Sequence, residues 1–141
     1  MTEFTDVQWK RIIAGGIAPH ALSIGLLIVA IIAYTFLLAF GTGGEPDQAS
    51  LDQFNTVVGT QLFPVVAILL TIPAAAWAAT KADPKEATMH GFAVGFLVAV
   101  IGLAFGALDL MMGVRFVITI TAGVLGAMLA PVIFTETESS D

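Results

Sequence analysis

Glu86-Ala-Thr-Met-His90-Gly-Phe-Ala-Val-Gly95-Phe-Leu-Val-Ala-Val100-Ile-Gly-Leu-Ala-Phe105-Gly-Ala-Leu-Asp109 decides the fold class. No acid, lysine or arginine interrupts it between its two ends. It is long enough to cross a bilayer, which takes about 20 consecutive apolar residues. Gly91, Gly95, Gly102 and Gly106 form two GxxxG motifs along it. Glycines at that spacing let a neighbouring backbone approach, and close packing is what associates helices in lipid. The other three apolar stretches of the chain read as its packing partners.

Composition agrees. Of the 141 residues, 57% are hydrophobic and only 11% are charged, where a soluble domain carries roughly a quarter charged. Mean hydropathy is +0.95, and the charges sit at the ends and in the gaps between apolar runs. The formal charge of -6 leaves no basic cluster, so nucleic-acid binding has no electrostatic footprint. Cysteine is absent, which excludes disulfides, thiolate metal sites and cysteine nucleophiles. The start, Met1-Thr-Glu-Phe-Thr-Asp6, lacks the basic n-region of a cleaved signal. The first span is therefore expected to act as an uncleaved anchor. No lipidation motif is present.

The expected fold is all-α: a polytopic membrane four-helix bundle forming one domain. Its spans are expected at about 12–40, 54–80, 86–108 and 114–134, with an acidic tail at 135–141. Thr5-Asp-Val-Gln8 has the form of a capping box, and Trp9-Lys-Arg11 resembles an interfacial anchor. Gly15, Gly16 and Pro19 predict a kink in the first helix, or a short interfacial helix ending near Gly15. Ser50-Leu-Asp-Gln53 reads as the cap of helix two. Pro64 and Pro73 predict two bends in it, or one distorted stretch. Asp83-Pro84-Lys-Glu86 reads as the start of helix three, with Asp83 as cap.

Four of the five cations, Lys10, Arg11, Lys81 and Lys85, fall on one side of this arrangement, and only Arg115 falls on the other. The positive-inside rule then places both termini in the cytoplasm of a multi-pass inner or plasma membrane protein. A shift of 70 residues aligns His20 with His90 and Gly25 with Gly95, a weak tandem repeat of two helical hairpins. If real, it sets both histidines at similar depth.

Few residues suggest chemistry. His20 and His90 are the two histidines. They form either interfacial hydrogen bonds, a pH-sensitive gate, or a bis-histidine site for haem b. Ala122, Gly126 and Ala130 give helix four a small face to match the glycines. Asp109 and Arg115 flank the short turn between helices three and four and read as a local ion pair, or as a charged mouth. With Asn55 and Gln61 they outline a polar path. No triad, paired catalytic carboxylates, metal cluster or phosphate loop is legible, so an enzyme is not expected.

The leading expectation is a non-enzymatic accessory or structural subunit of a membrane assembly, partnered by lipid and by other subunits or its own copies. One alternative is a small channel or transporter. The other is a haem-binding electron-transfer subunit using His20 and His90.

Overall fold

A computed structural model describes residues 8–83, 85–105 and 109–134. Residues 1–7, which include Thr5 of the first capping box, Pro84, residues 106–108 with Gly106, and the 135–141 tail lie outside them. Four helices follow one another: α1 (Trp9–Thr42), α2 (Gln48–Ala79), α3 (Ala87–Phe105) and α4 (Leu110–Phe134). Each is long and apolar enough to cross a membrane. The chain is an all-α bundle and a multi-pass membrane protein by its helices. Trp9, Ala79, Ala87 and Phe134 share what is called here the basal end; Thr42, Gln48, Phe105 and Leu110 lie toward the distal end.

The helix ends follow local chemistry. Gln8 precedes α1, and its carbonyl accepts from the Arg11 and Ile12 amides. Its side chain, however, donates to the Lys81 carbonyl at 2.9 Å instead of closing a cap. Helix α1 is unbroken through Pro19, so no short interfacial helix ends at Gly15. It stops at Gly43, whose φ of 78° is the left-handed cap that glycine adopts without strain. The cap of helix α2 lies three residues before the expected one. Asp47, not Ser50, caps it, accepting from the Ser50 hydroxyl at 2.6 Å and the Ser50 amide at 3.0 Å. Helix α3 starts at Ala87, because Asp83 closes a turn that delivers the chain to it. Helix α4 starts at Leu110, four residues before expectation, because Asp109 accepts from the Met112 amide at 2.7 Å.

Helices α2 and α3 pack against each other at the centre, α4 packs on one side of both and α1 on the other. The interior is made of small residues. Ala76, Ala79, Ala127 and Ala130 form one buried cluster. Ile12, Ala75, Ala78, Val94 and Val98 form another. Large side chains such as Phe92, Phe96, Val117 and Met128 face outward. This is the order expected in lipid, where packing and not water exclusion holds helices together.

A glycine-on-glycine seam joins α3 to α4. A Cβ placed on Gly91 would lie 2.5 Å from the Gly123 carbonyl oxygen, and one on Gly95 would lie 2.9 Å from that of Thr119. Gly123 reciprocates against the Gly95 backbone. Gly126 lies instead against Ile72 of α2, and Ala122 and Ala130 are buried. Gly102 leaves the seam and turns toward His20, so the glycines of α3 do not form one face.

Two outcomes follow. Gly123→Val forces backbone apart and should lower stability in detergent by about 1–3 kcal/mol. Gly113→Ala, where a Cβ meets nothing within 4 Å, should leave it within about 0.5 kcal/mol; thermal unfolding of both variants decides. The Ser50 hydroxyl and then the Ser50 amide hold the Asp47 carboxyl below its ordinary range. A lowered value means that the cap is intact above the ordinary aspartate pKa of about 3.9 and is lost as pH falls through the lower folded one. Amide NMR shifts of residues 48–51 should therefore move only in acid, and Asp47→Ala should move them at neutral pH.

Candidate functional site

The candidate site is a cavity of about 290 Å³ between all four helices in the distal half of the bundle. Its origin is Pro64. Proline has no N–H, so the carbonyl of Thr60 four residues earlier loses its helical donor. The helix responds with a π-turn over Val58–Leu62, and this is the distorted stretch that the prolines of α2 predict. Arg115 of α4 reaches across to donate to the Thr60 carbonyl at 3.1 Å. The guanidinium thus replaces the missing amide and props α4 against α2 at the cavity rim.

Asp109 and Arg115 both line the cavity, but they do not form the expected ion pair. Asp109 is committed to the Met112 amide and Arg115 to Thr60. The Thr119 hydroxyl, also in the lining, donates back to the Arg115 carbonyl at 2.7 Å. Asn55 and Gln61 are exposed on α2 and are not in the lining, so the four residues of the expected polar path are not brought together.

His20 of α1 forms part of the cavity wall and is 6% exposed. Its ring packs against Phe63, at 5.8 Å centroid distance, and Phe105, at 5.6 Å, whose rings also meet each other at 5.3 Å. Nε2 donates to the Val98 carbonyl at 2.9 Å. Nδ1 is left as a lone-pair acceptor, and it is buried with no partner. One turn on, the Ser23 hydroxyl is also buried and unpartnered. Sequence alone did not single out Ser23. The i, i+3 spacing to His20 puts both on one helix face, and that was the available signal.

His90 is elsewhere. Its Nδ1 donates to the Glu86 carbonyl at 3.0 Å, and its Nε2 accepts from the Gln8 amide at 3.3 Å. Both nitrogens are used: Nδ1 bonds the start of its own helix, and Nε2 ties the start of α1 to it. Arg11 strengthens this basal tie, donating to Thr80 and to the Trp77 carbonyl with its guanidinium 4.8 Å from the Trp77 ring centroid. His20 bonds to Val98, eight residues beyond His90, which is about 12 Å along α3. The histidines are therefore at different depths, contrary to the repeat alignment. Within one chain their rings do not face each other across a single iron.

No family model, curated protein or solved structure matches this chain. The class rests on the four spans alone.

Removing the Arg115 guanidinium leaves the Thr60 carbonyl without its donor. Arg115→Gln should lower stability by about 1–3 kcal/mol, the cost of a lost hydrogen bond from a charged donor. Hydrogen exchange should quicken in residues 58–66 and stay unchanged in the basal halves of the helices.

Proposed function

We propose that this protein is a non-enzymatic membrane subunit that acts by association, and that its partner surface is the outward face of α1 in contact with a second copy. The carrying observation is the division of that helix. Its buried residues are Ile12, Gly15, Gly16, Pro19, His20 and Ser23. The opposite face carries Ala14, Ala18, Ala21 and Gly25, small residues spaced at three and four along it. Nothing lies within 4 Å of a Cβ built on Gly25. Small residues at this spacing on an open face allow a second helix to approach. The same face continues with Ile28, Val29, Ile32 and Phe36, all exposed.

Length supports the reading. Helix α1 has 34 residues and measures about 51 Å, against about 30 Å of hydrocarbon. The surplus at its distal end carries Phe36, Leu37 and Phe40, the last 84% exposed. Among the described residues, the distal half of α1 makes one ring contact, the stack of Tyr34 on Phe54 at 4.0 Å centroid distance. A two-fold pair of α1 helices would cover this face on both copies at once. The cations at the basal end, with Trp9 and Trp77, favour a plasma-membrane orientation with that end in the cytoplasm.

The natural chain has no cysteine, so a single introduced thiol reports on pairing without background. Gly25→Cys in liposomes should form a disulfide dimer at high dilution in lipid, and Met128→Cys on the far helix should not. Gly25→Ile should weaken pairing by roughly tenfold, about 1.4 kcal/mol. A Gly25→Cys protein that stays monomeric at every protein-to-lipid ratio overturns the reading.

A further inference from the structure

We infer that the cavity bounded by His20 and Arg115 is a binding site for a small organic anion that carries a hydrogen-bond donor at its far end. At about 290 Å³ it stands at the small end of ligand pockets, which run from about 300 Å³ upward. Phe63, Phe105, Met112 and Phe116 give it apolar and aromatic walls, which suit a flat apolar body. Two of its lining residues, Arg115 and His20, carry polar atoms with unmet hydrogen-bonding capacity.

The first is Arg115. Among the described residues its guanidinium makes one hydrogen bond, to Thr60, out of five N–H donors. The Asp109 carboxylate on the same rim does not pair with it and accepts instead from the Met112 amide, so the N–H groups of Arg115 stay open to a ligand. A guanidinium with unused N–H groups favours an anion, and its planar fork matches a carboxylate or phosphate bidentately. The second is His20. With Nε2 donating to Val98, Nδ1 of the neutral ring accepts, and it is buried without a partner. Buried polar atoms left so are rare in folded proteins. A hydroxyl or amine on the ligand would supply the missing donor. Gly102 sits beside this ring, with a built Cβ 3.9 Å from His20 Cε1, so α3 leaves space where a larger side chain would fill the cavity.

Hydroxy acids dissolved in water and hydroxylated acyl chains released from lipid share this chemistry. The inference does not depend on α1 pairing, since the outward face of α1 takes no part in the cavity.

The test is thermal unfolding of the detergent-purified protein titrated with 4-hydroxybenzoate, benzoate, 4-hydroxybenzamide and 10-hydroxydecanoate. A saturable rise in Tm is expected with 4-hydroxybenzoate, at a lower Kd than with benzoate, and none with the uncharged amide. Arg115→Gln should weaken binding by roughly tenfold or more. His20→Phe should abolish the preference for the hydroxyl. Gly102→Leu should fill the cavity and remove binding while the fold survives, which keeps the test decisive if Arg115→Gln unfolds. A response to 10-hydroxydecanoate in place of 4-hydroxybenzoate supports the site and places the source of its ligand in the bilayer. No saturable shift with either anion, an equal shift with the amide, or a shift that survives Gly102→Leu overturns the inference.

Discussion

Close backbone approach between α3 and α4 is the constraint on which the other helices depend. Lipid tails are as apolar as leucine, so no water-exclusion term draws spanning helices together. What remains is contact, and contact is greatest where side chains vanish. Gly91 and Gly95 lie directly against Gly123. Alanines continue the seam toward α2 at Ala76, Ala79, Ala127 and Ala130. Large residues there would separate the helices and leave the bundle loose. The interior is thus small and the lipid-facing surface large, the reverse of a soluble core. Burial in this chain marks where backbones meet.

A second constraint governs the distal half. A spanning helix must satisfy every carbonyl from within the protein, and Pro64 leaves that of Thr60 short of a donor. The π-turn at Val58–Leu62 and the bond from Arg115 are two parts of one accommodation. They hold α2 and α4 apart around a cavity instead of letting them close. In the basal half α2 stays α-helical through Pro73, and α4 through Pro131. That half is packed with alanine and is tied across by Gln8, His90, Arg11 and Trp77. One end of the bundle is therefore a fastened base, and the other holds space and unused hydrogen-bonding capacity.

Helix α1 belongs to the base more than to the tip. It enters the interior only from Ile12 to Ser23, and beyond that it runs past the α3–α4 hairpin with little covering it. Its two faces answer different requirements. One supplies glycine, proline, histidine and serine to the interior, and the other is small and then apolar. The pairing proposed for it and the ligand proposed for the cavity use opposite sides of the same helix.

Much of this was legible in the residues. Four apolar runs separated by charge, proline and glycine specify four spans, because bilayer thickness and backbone satisfaction leave no other structure for them. The glycines of α3 announced close packing, and Pro64 announced a distortion. Partners and depth were not legible. Gly123 and Ala127, not Gly126, meet the α3 glycines, since one residue of helix rotation, about 100°, changes the neighbour. Asp109 and Arg115 are near in sequence, yet each finds a backbone group elsewhere, because helix ends and a proline-freed carbonyl compete for charge more strongly than an exposed pair does. His20 and His90 align in a repeat but settle about 12 Å apart in depth, because α1 docks on α3 in a register set by Gly15 and Gly16 against Val94 and Leu97. Sequence determined that the chain spans a membrane as helices. Only the tertiary structure decided which polar groups face each other and which are left free, because that depends on rotation and register between helices, which no single helix encodes.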